Sequence, residues 1–123
     1  MRAVLLPLLC GWSLLLLSLQ AGAECDTEAG KRLFSKCAVC HTYDDTGVHG
    51  VGPNLWGVIG REAATAKGFL YSPAMEQSGW VWGPERLDQF LANPMQALPG
   101  TTMAFAGLKE ETQRQDILCY IEG

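Results

Sequence analysis

The sequence has little positive charge, and no segment concentrates it. Its 123 residues include nine lysines and arginines against thirteen aspartates and glutamates. Binding to nucleic acid or to an anionic membrane surface needs a dense group of basic side chains, so both kinds of partner are excluded. After residue 23 the chain keeps eight basic and thirteen acidic residues, a net charge of −5. This acidity predicts a partner protein with a positive docking face.

The sequence also lacks strand patterns and internal repeats, and it has no low-complexity segment after residue 23. Glycine and polar turn residues fill positions 42–60, where no strand pattern is found. Capping residues and helical apolar spacing predict helices over 27–36, 84–92 and about 110–121, with one helical turn at 73–77. The sequence therefore predicts an all-α domain whose helices are joined by loops.

One long apolar run is present, and it lies at the N-terminus. It spans positions 5–19, follows the positive Arg2 and precedes the small residues Ala21-Gly22-Ala23, which suit a cleavage site. Residues 1–23 are therefore predicted to form a secretory signal peptide. Residues 24–123 would then be the mature protein, a single small domain.

A retained membrane anchor is the alternative interpretation of this run. The run is short for a membrane span, and Pro7 and Gly11 interrupt it, so cleavage is favoured. A mitochondrial transit peptide would be richer in arginine and serine. We therefore expect a mature protein of the bacterial periplasm, with no membrane anchor after the signal peptide is removed.

Two of the five cysteines stand in the segment Cys37-Ala38-Val39-Cys40-His41. This spacing is that of the attachment site of a c-type haem. Each thiol adds to one haem vinyl group, which gives two thioether bonds. The histidine is then carried beneath the iron, where its neutral ring nitrogen can coordinate. The motif predicts one covalently bound haem c with its iron.

Half of a zinc site and a redox-active dithiol are two other interpretations of this motif. A zinc site of the usual kind needs two more ligands at close spacing, whereas Cys25, His49 and Cys119 are scattered singly. A redox-active dithiol usually closes a strand in an α/β pattern, which this sequence lacks. Haem attachment is therefore favoured.

A second axial ligand for the iron must come from elsewhere in the chain. The candidates after residue 23, cysteines aside, are His49, Met75, Met95 and Met103. Met103 ends a Pro-Gly-Thr-Thr-Met loop that is free to fold against a flat cofactor, and a thioether ligand favours ferrous iron. Core packing is the alternative role for any methionine. The residues alone leave the identity of this ligand open.

Together these residues resemble those of class I cytochromes c, the family of mitochondrial cytochrome c and its small bacterial relatives. The resemblance covers nearly all of residues 24–123. The matching residues are Gly30, Phe34, Cys37 to His41, Gly52 to Gly57, Gly60-Arg61, Gly68-Phe69, Tyr71-Ser72, Trp82, Asn93-Pro94, Pro99 to Thr101, Met103, Phe105 to Gly107 and Tyr120.

The resemblance implies the small cytochrome c fold, in which three main helices and short helical turns surround one covalently attached haem. It implies that His41 is the proximal iron ligand and Met103 the distal one. Cys37 and Cys40 would carry the thioether bonds. The carbonyl of Pro53 would accept a hydrogen bond from the other ring nitrogen of His41 and fix its orientation.

Other residues receive roles from the same resemblance. Arg61, Tyr71 and Trp82 would surround or hydrogen-bond a haem propionate, and Phe105 would cover the haem near its exposed edge. Gly30 would let the first and last helices cross closely.

The function that the resemblance implies is the shuttling of single electrons between redox proteins by a monomer that is not an enzyme. Two alternatives stay open: a haem subunit held permanently in a dehydrogenase or oxidase, and a haem enzyme or sensor with a displaceable sixth ligand. Mitochondrial relatives carry a ring of lysines around the haem edge, but Met95, Gln96 and Thr102 occupy positions where lysines are common. Met75 and Phe90 replace polar groups of the mitochondrial pattern, which predicts a drier pocket.

Cys25 and Cys119 remain to be placed. They fall near the start of the first helix and within the last helix, which are expected to cross. In an oxidising compartment a disulfide between them is one hypothesis, and two unpaired thiols are the other. A Cα separation above about 7 Å would exclude the bridge without backbone movement.

Overall fold

The computed structural model describes residues 24–123. Its helices are α1 (Thr27–Leu33), continued by a 3₁₀ turn (Phe34–Lys36), then α2 (Pro73–Glu76), α3 (Pro84–Ala92), α4 (Pro94–Ala97) and α5 (Glu111–Glu122). No helix among these residues is long and apolar enough to cross a membrane. The predicted signal peptide, residues 1–23, lies outside the described part of the chain.

Helix starts follow the local capping chemistry. The carboxylate of Asp26 accepts a hydrogen bond of 2.8 Å from the Ala29 N–H at the start of α1. The Ser72 hydroxyl accepts one of 3.1 Å from the Met75 N–H at the start of α2. Pro84, whose φ angle is already helical and which lacks an N–H, is the first residue of α3. These starts agree with the sequence-based prediction.

Helix α4 is an addition to that prediction, because Asn93-Pro94 indicates only the end of α3. Asn93 does end α3, with an extended backbone (φ −164°, ψ 92°). Its side-chain oxygen then accepts a hydrogen bond of 3.3 Å from the Gln96 N–H, and Pro94 becomes the first residue of α4. The same dipeptide thus stops one helix and starts the next.

Helices α1 and α5 cross at Gly30. A β-carbon at this position would lie 2.6 Å from the carbonyl carbon of Asp116 and 2.9 Å from the β-carbon of Tyr120, so only glycine permits the approach. Beside the crossing, the Phe34 ring lies 5.3 Å from the ring of Tyr120 and 5.3 Å from that of Tyr43. The close crossing expected from the resemblance is present.

The apolar core lies between α1, α3 and α5 and continues under the long loops. An ion pair of 2.7 Å between Arg114 and Asp88 joins α5 to α3. Apart from one antiparallel bridge between Glu62 and Val81, residues 24–123 contain no β-structure, which confirms the all-α prediction. The buried apolar residues are Phe34, Val58, Trp82, Leu87, Phe90, Leu91, Leu98, Leu108, Ile117, Leu118 and Ile121.

Cys25, just before α1, lies beside Cys119 in α5. Their Cα atoms are 6.1 Å apart, and the two residues are paired. This separation is below the limit of about 7 Å, so the backbone already holds both residues where a disulfide can form.

Candidate functional site

A cleft of about 380 Å³ opens into the core from one side of the molecule. Its size is that of a site for a small molecule or a cofactor (about 300–1,000 Å³). Cys37, Cys40, His41 and Met103 all line it, among aromatic and aliphatic side chains. No aspartate or glutamate among residues 24–123 lines it. The cleft therefore gathers the haem motif and the proposed second ligand around one largely apolar space.

Pro53 determines which nitrogen of His41 is free to bind a metal. The Nδ1 atom of His41 lies 2.7 Å from the Pro53 carbonyl oxygen. A carbonyl oxygen only accepts hydrogen bonds, so Nδ1 carries the proton and Nε2 keeps its lone pair. Burial lowers the pKa of His41 from its ordinary value, and the bond to Pro53 opposes this effect. The imidazole is thus kept neutral, the form that coordinates iron.

The burial of Cys37 argues against a redox-active dithiol. Burial raises the pKa of the Cys37 thiol to about 11, and the charge of neighbouring Lys36 opposes this effect. A redox-active dithiol instead depends on a thiolate stabilised by a lowered pKa.

The other possible zinc ligands among the described residues already have different partners. Cys25 and Cys119 are paired with each other, away from the motif. His49 uses both ring nitrogens elsewhere: Nδ1 accepts a hydrogen bond of 2.9 Å from the Asn54 N–H, and Nε2 donates one of 2.8 Å to the Lys67 carbonyl. Residues 24–123 contain no cluster of three or more His, Cys, Asp or Glu that could hold a metal ion. His49 is therefore unsuited to be an iron ligand as well.

The three methionines differ in their access to the cleft. Met95 is 56% exposed and lies outside the cleft lining, whereas Met75 and Met103 both line it. The loop that carries Met103 is fixed at both ends, by bonds of 2.9 Å from Leu98 N–H to the Pro94 carbonyl and 2.8 Å from Leu108 N–H to the Leu91 carbonyl. Met103 is thereby presented to the cleft by a loop whose two ends are anchored.

Arg61, Tyr71, Trp82 and Phe105, to which the resemblance assigns haem contacts, all line the same cleft. The Arg61 guanidinium donates to the Asn54 carbonyl at 3.0 Å, which holds the cation at the cleft wall. The Tyr71 hydroxyl accepts from the Ala66 N–H at 3.3 Å. Trp82 is buried, and Phe105 is half-buried.

The lining fits a haem chemically. Apolar side chains suit the flat macrocycle, two thiols and an imidazole with a free nitrogen suit covalent attachment and ligation, and Arg61 suits an acidic propionate. The absence of carboxylates among the described lining residues also favours a cofactor that brings its own negative charges. Met75 and Phe90, predicted to make the pocket drier, are both in the lining.

Sequence reasoning missed two features of this site. One is the close contact between Gly52 and the His41 ring. The only indication of this contact in the sequence is the glycine directly before Pro53. The other is the position of Val39 and Val51, which line the cleft and are 80% and 82% exposed. Their signal was an apolar residue type at positions with no predicted role in the core.

Comparison with known proteins gives consistent results. The family model described as Cytochrome c matches residues 27–123. A cytochrome c of Trypanosoma brucei brucei is 50% identical over 76 residues, which cover 62% of this chain and 82% of that protein. Cytochrome c 2.1 of Caenorhabditis briggsae is 46% identical over 98 residues, covering 79% of this chain and 87% of that protein.

A solved structure, that of cytochrome cH from Methylobacterium extorquens, resembles the fold with a TM-score of 0.74 at 38% identity. The match covers 79% of this chain and 97% of that one. The family match spans most of the chain and agrees with the fold, the Cys-x-x-Cys-His motif and the cleft. The chain therefore belongs to the cytochrome c family, the class I c-type cytochromes that transfer electrons through a covalently attached haem c.

Proposed function

We propose that this chain is a monohaem electron carrier in which His41 and Met103 are the axial iron ligands and Cys37 and Cys40 hold the thioether bonds. The observation that carries the proposal is that these four side chains line one cleft. When bound there, haem c supplies an iron that alternates between the ferric and ferrous states.

The surrounding residues are proposed to keep this site rigid. Pro53 fixes the orientation of the His41 ring, and the anchored loop fixes Met103. Arg61, Tyr71 and Trp82 are proposed to neutralise and enclose a propionate, and Phe105 to cover the haem edge. A rigid wall of this kind limits the reorganisation that accompanies a change of charge, which favours rapid electron transfer over binding of a substrate.

We further propose that the mature protein is a monomer in the bacterial periplasm, where it exchanges electrons with donor and acceptor redox proteins. The predicted signal peptide, residues 1–23, supports export. The pairing of Cys25 with Cys119 also supports it, because disulfides persist in oxidising compartments. Cytochrome c-type cyt cy of Rhodobacter capsulatus is a bacterial relative, 46% identical over 97 residues that cover 78% of this chain and 48% of that protein.

Spectroscopy of two matched variants tests the ligand assignment. Met103→Ala removes one cleft thioether, and Met75→Leu removes the other while keeping an apolar side chain of similar size. A methionine sulfur bound to ferric haem gives a weak far-red absorption band. We expect Met103→Ala to lose this band and to bind carbon monoxide rapidly when reduced, whereas Met75→Leu keeps the band and binds carbon monoxide as slowly as the wild type.

Retention of the band in Met103→Ala would refute the assignment of Met103. Absence of the band from the wild type, together with rapid carbon monoxide binding, would instead indicate a haem enzyme or sensor. The remaining alternative is a haem subunit held permanently in a larger enzyme, and purification from periplasmic extract tests it. A free protein of about 100 residues supports the carrier, whereas strict co-purification with a dehydrogenase or oxidase supports the bound subunit.

A further inference from the structure

The loop that carries Met103 ends at Leu108, where other parts of the chain hold both backbone polar groups. The Leu108 N–H donates a hydrogen bond of 2.8 Å to the Leu91 carbonyl in α3. The Leu108 carbonyl accepts one of 2.9 Å from the guanidinium of Arg114 in α5. The Leu108 side chain is itself buried in the core. The end of the loop is therefore fixed to two helices at a single residue.

Arg114 is held in turn by Asp88 in α3. Its Nε donates to the Asp88 carboxylate at 2.7 Å, and the two side chains are only 11% and 25% exposed. Water therefore competes weakly for this charged bond. Asp88 and Leu91 lie one turn apart in α3, so the bonds close a ring that joins α3, α5 and the end of the loop. We call this ring the loop clamp, and it consists of Asp88, Leu91, Leu108 and Arg114.

Lys109 contacts the same part of the loop less firmly. Its Nζ lies 3.3 Å from the Ala92 carbonyl and 3.4 Å from the Ala106 carbonyl, at an exposed position. Exposed bonds of this kind contribute little, because water replaces them readily. The shielded guanidinium of Arg114 is therefore the cation expected to control the loop.

The two charged residues of the loop clamp do not line the cleft. Leu91 does line it, as does Ile117, which follows Arg114 by three residues in α5. Met103 is only five residues from Leu108 along the chain. The clamp can thus affect how Met103 is presented to the cleft without itself touching a bound cofactor.

We propose that Arg114, oriented by Asp88, is a positioning residue that keeps Met103 on the haem iron by holding the end of its loop. This inference rests on the proposed ligation by Met103. A thioether carries no charge that would draw it to the iron, so its binding depends on how firmly the chain presents it. Without the guanidinium, the Leu108 carbonyl and the Asp88 carboxylate lose their partner, and the loop should leave the cleft more often.

Replacement of Met103 by free imidazole in the ferric, haem-loaded protein measures how often the loop releases the iron. At saturating imidazole the rate equals that of Met103 dissociation, and stopped-flow absorbance follows it through loss of the far-red band. We expect Arg114→Met, which keeps an unbranched apolar stem, to exchange about tenfold faster or more. Arg114→Lys keeps the charge but not the fork of donors, so its rate should lie between those of Arg114→Met and the wild type.

Substitutions of Asp88 test its part in orienting Arg114. Asp88→Asn keeps an acceptor oxygen for the Arg114 Nε and should stay within about threefold of the wild-type exchange rate. Asp88→Ala keeps none and should approach the rate of Arg114→Met. Native-state hydrogen exchange of the Leu108 N–H should accelerate in the same order, because this N–H is protected only while the loop end stays bonded to α3.

Two controls separate the loop clamp from loss of charge and from general loss of stability. Arg86→Met removes an exposed guanidinium that lies over the Trp80 ring and does not contact the loop. The double variant Cys25→Ser/Cys119→Ser removes the bond between the start of α1 and α5 and thereby lowers global stability. Both controls should exchange Met103 for imidazole within about twofold of the wild-type rate, since distant sites act independently.

Wild-type exchange rates in Arg114→Met and Asp88→Ala would overturn the proposal, as would equal acceleration in the clamp variants and the controls. If Arg114→Met does not fold, the contrast between Asp88→Ala and Asp88→Asn decides the question by the same criterion. A wild type that lacks the far-red band would instead overturn the ligation by Met103 itself.

Discussion

Gly52 packs directly against the imidazole ring of His41. A β-carbon at Gly52 would lie 2.7 Å from Nδ1 and 2.9 Å from Nε2, distances that no real side chain tolerates. The same backbone segment continues into Pro53, whose carbonyl accepts the His41 hydrogen bond. One short stretch of chain therefore both orients the ring and prevents it from tilting toward the Gly52 backbone.

The variant Gly52→Ala tests this restraint. We expect the added methyl group to push the His41 ring away from the Pro53 carbonyl and to lower the free energy of unfolding by about 1–3 kcal/mol, the usual cost of overpacking. Chemical denaturation of the haem-loaded protein measures the loss. The Nδ1 proton resonance of His41, followed by NMR in the ferrous protein, reports whether the hydrogen bond has lengthened.

Gly83→Ala is the control for this experiment. A β-carbon at Gly83 would meet no atom within 4 Å. Since Gly83 is the N-cap of α3, alanine there should cost about 0.5 kcal/mol and leave the His41 resonance in place. An unshifted resonance in Gly52→Ala would show that the ring is not restrained by this contact.

The crossing of α1 and α5 gives a second prediction. Gly30→Ala should destabilise the protein by about 3 kcal/mol, because the new methyl group meets the backbone of Asp116, which cannot move aside as a flexible side chain could. Unfolding in guanidinium chloride measures the change, again with Gly83→Ala as the reference. If Gly30→Ala were as stable as the reference, the helices would have to cross at a greater distance than described.

A substitution at Ala64 is predicted to stabilise the protein, in contrast to those at Gly52 and Gly30. It is the only residue other than glycine among positions 24–123 with a positive φ angle, 62°. A β-carbon in this left-handed conformation costs about 1–2 kcal/mol. Glycine removes this cost, but it also raises the entropy of the unfolded chain, which offsets part of the gain in stability. Ala64→Gly should therefore raise the free energy of unfolding by about 0.5–1 kcal/mol.

The neighbouring residue Ala63 is a matched control for Ala64→Gly. Its φ angle is not positive, so Ala63→Gly brings the entropy cost without relief of strain, and it also removes a methyl group that packs against the core. It should therefore destabilise by at least about 0.5–1 kcal/mol. Thermal unfolding of both variants tests the contrast. A loss of stability in both would mean that the backbone at Ala64 is not strained.

Local chemistry explains which elements the sequence predicts. Helix α1 starts after the capping residue Asp26, α3 starts at Pro84, and α5 starts beside the acidic pair Glu110-Glu111, which suits a helix N-terminus. Each also shows helical apolar spacing, so short windows of sequence contain the signal. Helix α4 has four residues, too few for any periodicity, and depends on the Asn93 side chain that also ends α3. Its first turn is capped by the hydrogen bond from the Gln96 N–H to the Asn93 side chain, and the residue types alone do not indicate whether that bond forms.

The site is predicted in its covalent part and less well in its surroundings. The Cys-x-x-Cys-His motif is contiguous, so its chemistry is evident from spacing alone. The role of His49 is different, because it depends on the Lys67 carbonyl 18 positions away. The positions of Val39 and Val51 depend on which loops meet at the cleft mouth, whereas Val48, the same residue type nearby, lies outside the cleft lining. Such long-range placements are fixed by tertiary packing.

The pairing of Cys25 with Cys119 gives the last prediction. The bond closes a loop across 94 positions and joins the start of α1 to α5. By the loop-entropy argument a closure of this length stabilises by up to about 4.7 kcal/mol, and native disulfides typically contribute about 2–4 kcal/mol. The double variant Cys25→Ser/Cys119→Ser should therefore unfold at a lower denaturant concentration, with the haem spectrum unchanged in the folded state.

Two measurements distinguish the bond from the thiols themselves. Alkylation of the unfolded, unreduced wild type should modify neither Cys25 nor Cys119 and should modify both after reduction. The reduced wild type should match the double serine variant in stability, because the thioether bonds at Cys37 and Cys40 resist thiol reductants. If the unreduced protein were alkylated at both positions, the two cysteines would be adjacent thiols. If reduction left its stability unchanged, the predicted contribution of the bond to stability would be wrong, and the α1–α5 pair would be held by the Gly30 crossing, the Phe34–Tyr120 packing and the hydrogen bond from the Asp26 N–H to Asp116.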